Sequence, residues 1–526
     1  MPQLGESSVD FQSRSPRVPP LQLTTRVAYL ASIVAAIWYG MYVLDFRNAG
    51  QLVPYLCLVV AEVILLANAV GMAWTILASS PEEDLEVKAL RRKFLHRGWK
   101  PSVDVLITGY GEDPEVVRRT VAAAIAIKGE HRTVVCDDGC SEEIEAVALE
   151  LGADYVPRES SKGAKAGNLN HALSYCSGEF FATFDADHVP HPDFLIVTLP
   201  HFADPELAFV QSPQNYRETG DDWVARGAAE GQRVFYEIIC PGKNSFNSMF
   251  YVGTNAIFNR AAIDSIGGIN QDSNSEDIWT AINLHKRGWK SRFVPEIMAK
   301  GLSPDTLALH LKQQFRWGRG GYEVLFSREL WREGLTRDQR LQYLLVGAHY
   351  LQSIAIMFFL LLPPLFIMFD IRPIDVGGAT WLLRYLPFFV FVQLALYLQV
   401  GGWRPSAMAL SIASAPAQFR ALLSVITGKN VGWKASNSDG EVPRVLDILP
   451  GAVFLLVVNL AGLATGLFTF DGYGDVVIAL VLCCLHICVL GFAVLRASQD
   501  RRRSLDALTT QTSVAAETGE LSASRT

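Results

Sequence analysis

The side chains that could do chemistry fall into four groups along the middle of the chain. Asp185-Ala186-Asp187-His188 sets two carboxylates one residue apart, a spacing that suits a hard divalent cation also gripping a diphosphate. Asp137-Asp138-Gly139 lies upstream of it and Ser275-Glu276-Asp277 downstream. Asp277 stands where a helical segment begins, so the helix dipole favours its anion; a residue there is equally an ordinary helix cap. Further on, Gln313 and Arg316 share a helical face with Trp317 beside them. Arginine forks onto phosphate oxygens, glutamine hydrogen-bonds them, and an indole offers a flat platform for the C–H face of a sugar ring. The same types also suit an interfacial tryptophan with a snorkelling arginine.

Positioning these groups calls for an α/β domain. From residue 103 short β-rich runs alternate with helical ones, which predicts a mostly parallel sheet. The spacing predicts strands over 103–108, 133–137, 180–184 and 250–258, with helices over 115–127 and from Asp277 to Gly288. Ligands of such sheets bind beyond the carboxyl ends of the strands. Thr108, Tyr110 and Glu112 follow the first strand, Asp137 and Asp138 the second, and Asp185 and Asp187 the third, so all belong to one edge. The stretch 162–170 is a basic, small-residue turn entering a helix. It fits a plain helix start, and it fits backbone amides and Lys165 approaching an anion.

The rest of the chain is built for a lipid environment. Half of its 526 residues are apolar, and a formal charge of −7 without a polybasic run excludes nucleic acid as the expected partner. The eight cysteines lack zinc-ligand spacing and read as reduced packing thiols. Six apolar runs have the length a bilayer core demands: 27–45, 52–78, 341–369, 381–401, 448–470 and 476–495. The division is a disordered tail at 1–26, distinct from a cleaved signal peptide, then spans within 27–78, an α/β domain at 99–330 and spans within 341–401. Interfacial helices at 403–446, spans within 447–497 and a disordered tail at 498–526 complete it. Segment 305–326, which holds the Gln/Arg/Trp group, also reads as interfacial. Arg14, Arg17 and Arg26 precede the first span, Lys88 to Lys93 follow the second and Arg501 to Arg503 the last, whereas the opposite loops hold only Arg47 and Arg372. Both termini and the α/β domain are therefore expected on the cytoplasmic side of a multi-pass inner-membrane protein. Glu62 inside the second span costs roughly 3 kcal/mol in lipid, so it should line a polar conduit or be a paired buried carboxyl; His349 and Gln352 raise the same alternatives.

With these motifs in hand, the chain resembles the processive family 2 glycosyltransferases, which include bacterial cellulose synthase catalytic subunits, curdlan synthases and related β-glucan and hyaluronan synthases. The resemblance rests on Asp137-Asp138-Gly139, Lys165-Ala166-Gly167-Asn168, Asp185-Ala186-Asp187-His188-Val189-Pro190, Ser275-Glu276-Asp277, and Gln313 with Arg316-Trp317, over about 101–325 plus the membrane flanks. It implies a GT-A-like cytoplasmic domain inserted between transmembrane helices, and the following roles. Thr108, Tyr110, Glu112 and Asp137 or Asp138 hold the uridine end of a UDP-sugar, and Lys165 meets the diphosphate. Asp185, Asp187 and His188 organise Mg2+ or Mn2+. Gln313 and Arg316 grip the departing diphosphate, Trp317 stacks on the acceptor sugar, and Asp277 is the general base. UDP-glucose is the expected donor, a growing β-glucan the acceptor, and accessory export subunits are candidate partners.

Three departures bear on the product. Ser275 replaces the usual threonine, Val252 the usual cysteine of Phe250-Tyr251-Val252-Gly253, and Thr108-Gly109-Tyr110-Gly111-Glu112 the commoner Pro-Thr-Tyr-Asn-Glu. Other readings are a synthase of another β-linked polymer (mannan, hyaluronan-like or mixed-linkage glucan) and a non-processive lipid-linked transferase. The short segment after 495 gives no expectation of a cyclic-di-GMP-binding barrel.

Overall fold

The computed structural model describes residues 21–79, 100–217, 222–273, 275–304, 306–403, 405–429, 444–469 and 475–523. Two apolar helices, α1 (Leu23–Val43) and α2 (Leu52–Leu77), form a hairpin. The tail expected at 1–26 lies outside the described residues as far as 20, and α1 begins four residues before the expected span.

The α/β domain follows. β1 (Val103–Gly109), α3 (Pro114–Ile125), β2 (Arg132–Asp137), α4 (Glu142–Leu151), β3 (Asp154–Pro157), α5 (Ala164–Leu173) and β4 (Phe180–Asp185) alternate as expected. Next come β5 (Leu207–Gln211), α6 (Trp223–Arg233), β6 (Ala256–Asn259), α7 (Glu276–Lys286) and β7 (Lys290–Phe293). The seven strands lie in the order β3-β2-β1-β4-β6-β5-β7. All neighbours are parallel except β6, which runs antiparallel between β4 and β5. The sheet grows outward through β1, β2 and β3, then resumes with β4 on the other side of β1. This reversal opens a crevice at the carboxyl ends of β1 and β4, where α/β sheets take ligands. Thr108 pairs with Cys136 on one side and Asp185 on the other, which brings the Asp137-Asp138 and Asp185-Asp187 pairs to that crevice.

Successive residues of β1 face opposite layers, as the pleat requires. Val103, Val105 and Ile107 pack with Val121, Ile144 and Phe184, whereas Leu106 packs with Leu169, Phe181 and Phe258. The strand expected over 250–258 shortens to Ala256–Asn259. Gly253 at φ +92 and Asn255 at φ +57 take left-handed backbone, which breaks the ladder and turns 250–255 into a loop.

Beyond the domain, α8 (Leu307–Leu325) carries the Gln/Arg/Trp residues and starts from a Thr306 cap. It leads to α9 (Arg337–Phe369), α10 (Gly378–Val400), α11 (Pro405–Ile426), α12 (Pro450–Thr469) and α13 (Asp475–Ala523). Among the described residues, seven helices are long and apolar enough to cross a membrane, one more than the expected six; the addition is α11. Its alanine-rich stretch lifts its apolar character, yet it packs along α8 and α6 of the domain as well as on α9. The segment 498–526, expected to be disordered, continues α13 as helix to Ala523. It contains no proline, and its Arg, Leu, Ala, Gln and Glu residues favour helix. All eight cysteines are free thiols.

Candidate active site

The end of β2 is internally tied. Asp137 accepts hydrogen bonds from the backbone N–H of Gly139 and Ser141, both 2.8 Å, and from the Tyr155 hydroxyl at 2.9 Å. Asp138 receives the Arg158 guanidinium through two bonds, at 2.5 and 2.6 Å. After β1, Gly111 at φ +75 lets the chain turn so that Glu112 accepts the Tyr110 N–H at 2.5 Å. Burial pushes the Glu112 carboxyl up and the Tyr110 N–H pulls it back, with Asp185 and Asp187 adding repulsion.

Across the crevice, Asp185, Asp187 and His188 each present one ligand atom within 4.8 Å of the others. Asp185 also contacts the Lys165 ammonium, so the turn at 162–170 does deliver its lysine to this edge. Asp187 Oδ1 lies 2.7 Å from His188 Nδ1, and its Oδ2 accepts the Leu302 N–H at 3.2 Å. His188 Nε2 is buried without a partner, the kind of orphaned donor atom a metal would satisfy. Two carboxylates and an imidazole suit a divalent cation.

The loop at 250–255 joins this cluster to Asp277. Gln211, fully buried, accepts the Val252 N–H at 3.1 Å and donates to Thr254 O at 2.8 Å. Thr254 Oγ1 in turn accepts the Asp185 N–H at 2.9 Å. A Cβ at Gly253 would stand 3.7 Å from Asp277 Oδ2, so the loop backbone floors the space in front of that carboxyl. Asp277 is the second residue of α7, whose N-cap position is Ser275, so it does not cap the helix; its Oδ1 accepts the Ile278 N–H at 2.8 Å. Burial and then the neighbouring Glu276 charge push Asp277 up to about 7, while the Ile278 N–H, Arg316 and Lys165 draw it down. A carboxyl so tuned exchanges its proton at neutral pH.

Helix α8 closes the site. Gly320 packs on Ser275 so tightly that no Cβ fits against Ser275 Oγ, and Ser273 donates to Glu323 at 2.9 Å. That grip holds the Asp277 turn against the helix. Arg316 is exposed and Trp317 half-buried, and Gln313 stands beside the Tyr216 hydroxyl with its Oε1 unpartnered. Glu112, Lys165, Asp185, Asp187, His188 and Asp277, with Arg316 close enough to act on Asp277, thus come to the same end of the sheet. Sequence reasoning missed Arg158, Gln211, Thr254, Tyr216 and Gly320. Among these, Arg158 had a legible signal, a cation placed just after a strand end on the ligand edge.

Within the helical part, Glu62 is buried and accepts the Tyr39 hydroxyl at 2.5 Å, and Tyr39 accepts Trp381 Nε1 at 3.0 Å. This matches the paired-carboxyl alternative. Gln352 and His349 lie 3.3 Å apart, with His349 exposed.

Residues 180–403, which include both the Asp185-Asp187-His188 cluster and the Gln/Arg/Trp helix, match the family described as glycosyl transferase family group 2. The chain is 31% identical to cellulose synthase 2 of Novacetimonas hansenii over 83% of its own length and 28% of that protein. It is 36% identical to the UDP-forming cellulose synthase catalytic subunit of Xanthomonas axonopodis pv. citri (strain 306), over 48% of this chain and 36% of the relative. The corresponding subunit of Pseudomonas fluorescens (strain SBW25) is 28% identical, over 85% and 62%. The chain thus spans between 28% and 62% of the length of these relatives. Among solved structures, the mannosyltransferase PcManGT of Pyrobaculum calidifontis, in complex with GDP-Man and Mn2+, aligns over 68% of this chain and 100% of itself, at 15% identity and a TM-score of 0.44.

Proposed function

We propose that this protein is a processive inverting glycosyltransferase that polymerises UDP-glucose into a β-glucan and moves the polymer across the plasma membrane. The observation that carries the reading is Asp277, whose carboxyl is pushed up to about 7 and is joined through a single loop to the Asp185-Asp187-His188 cluster. A sugar hydroxyl is a poor nucleophile until a positioned carboxylate takes its proton. Asp277 removes that proton as the hydroxyl oxygen bonds to the anomeric carbon, and the bond from that carbon to UDP breaks on the opposite face. One base and one displacement invert the centre, so an α-linked donor yields a β-linkage.

Asp185, Asp187 and His188 would hold Mg2+ or Mn2+, which when bound neutralises charge on the diphosphate. Lys165 supplies a further positive charge from α5, and Arg316 with Gln313 meets the leaving diphosphate from α8. Trp317 gives the acceptor ring its platform. Tyr110 and Glu112 line the uridine end.

Packing supports α11 as an interfacial helix, its side chains engaged with the domain: Gln418 donates to Gln314 at 2.9 Å, and Ala421 packs on Tyr322. The other six helices, as crossings, would put both termini and the domain on one side, and the Lys/Arg distribution favours the cytoplasmic one.

The test supplies membranes with labelled UDP-sugars and a divalent cation, then digests the product with linkage-specific glucanases. A glucanase-sensitive polymer from UDP-glucose is expected. A polymer made solely from another UDP-sugar, or a single-sugar lipid, would replace the glucan reading.

A further inference from the structure

Arg158 was not itself expected at the site, yet it makes four hydrogen bonds at the nucleotide edge, two of them to Asp138. It lies one residue beyond β3 and is 9% exposed. Its Nε and Nη2 bind the two oxygens of Asp138, at 2.5 and 2.6 Å. Its Nη1 donates to Lys162 O at 2.7 Å, and Nη2 also reaches Ala164 O at 3.0 Å. One planar guanidinium therefore joins the end of β2 to both sides of the turn that starts α5. Lysine cannot reproduce this, because an ammonium lacks the rigid fork.

The turn is shaped around that group. Gly163 sits at φ +76 and Ala164 at φ +45, a strained pair for the second residue. A Cβ at Gly167 would come within 2.6 Å of Arg158 Nη1 and would strike Lys162 O. Next along the chain from Ala164 is Lys165, whose ammonium contacts Asp185. A second strut, Asn168 Nδ2 to Cys136 O at 2.8 Å, holds α5 against β2.

We propose that Arg158 is a positioning residue for the sugar-nucleotide diphosphate: anchored on Asp138, it fixes the 162–164 turn so that Lys165 is presented beside Asp185. Asp138 then serves the donor site through Arg158, both of its oxygens being engaged by the guanidinium. This rests on the glycosyltransferase reading above. Removing Arg158 should weaken the donor in binding and leave the acceptor chemistry at Asp277 alone.

The test measures donor KM, kcat and its pH profile, and UDP affinity, for R158K, for R158Q paired with D138N, and for G167A. The neutral pair avoids an uncompensated buried carboxylate, so its fold is kept even where a single truncation is unstable. Donor KM and the Kd for UDP should rise roughly ten- to a hundredfold in R158K and in the neutral pair, with kcat at saturating donor falling by much less. A neutral pair with wild-type KM would mean that Arg158 only neutralises Asp138, and would overturn the inference. A loss confined to kcat would overturn it as well. Wild-type membranes that neither bind UDP nor turn over any sugar nucleotide would overturn the parent reading and the inference together, so the two failures are distinguishable.

Discussion

Asp277 is where residue chemistry and measurable behaviour meet. Because it must be ionised to accept a proton, and burial raises it to about 7, synthesis should climb as pH rises through about 7. The stability effect has the opposite sign. A carboxyl whose folded value lies above its unfolded one holds its proton better in the native state, so the fold loses stability as pH rises from about 4 toward 7. Asp277→Asn should therefore lower kcat by about 10²- to 10⁴-fold, leave UDP affinity close to wild type, and gain thermal stability relative to wild type above pH 7. Retained synthesis in that variant would remove Asp277 from the base role. At this scale much was legible: carboxylates at strand ends and a cation-aromatic group on one helical face are local patterns. Arg158, Gln211 and Thr254 were harder to see because their partners at the site lie 20 to 69 residues away and are fixed by the fold.

At the scale of elements, the site depends on how closely α8 approaches the Asp277 turn. Gly318 and Gly321 bare one face of α8, toward Ala421 and toward Tyr350 and Gly347 of α9, and Gly320 bares another, against Ser275. Glycine in a helix interior is unfavourable by about 1 kcal/mol, so its use here answers to packing. Gly320→Val should displace α8 from Ser275, an overpacking cost of roughly 1–3 kcal/mol, and reduce kcat while UDP binding is retained. Gly491→Val, in α13 with open space around it, is the matched control and should leave synthesis unchanged. Wild-type kcat in Gly320→Val would show that this contact does not set the site. Helix α4 and the short edge strand β3 were not foreseen, whereas the strands at 103–109, 132–137 and 180–185 and the helix at 114–125 followed from periodicity. Residues 250–255 did not, because alternating apolar residues read as strand until left-handed backbone at Gly253 and Asn255 turns them into a loop. Nor did the helical end of α13, since a polar tail gives no apolar stripe to read.

For the whole molecule, the decisive contact lies far along the chain from the chemistry. The loop between α1 and α2 pairs with the loop between α9 and α10: Gly50 donates to Pro373 O and Asp375 to Asn48 O, each at 3.0 Å, flanking an antiparallel bridge between Ala49 and Ile374. Two hairpins so joined at their tips have all four of their other ends on the opposite side, where α2 and α9 meet the domain. There Gln342 of α9 lies 3.2 Å from the buried Lys243 ammonium and 2.8 Å from Thr75 of α2. The bonds around Ala49 and Ile374 define a non-hydrogen-bonded pair, whose close Cα approach suits a disulfide. In a Cys57→Ser background, Ala49→Cys with Ile374→Cys should therefore crosslink under a membrane-impermeant oxidant applied to intact cells, and synthesis should persist. Crosslinking that requires broken membranes would put these loops in the cytoplasm and invert the orientation. Thiols that stay reduced in both preparations would separate the hairpin tips, and with them the four-helix frame on which the catalytic domain sits.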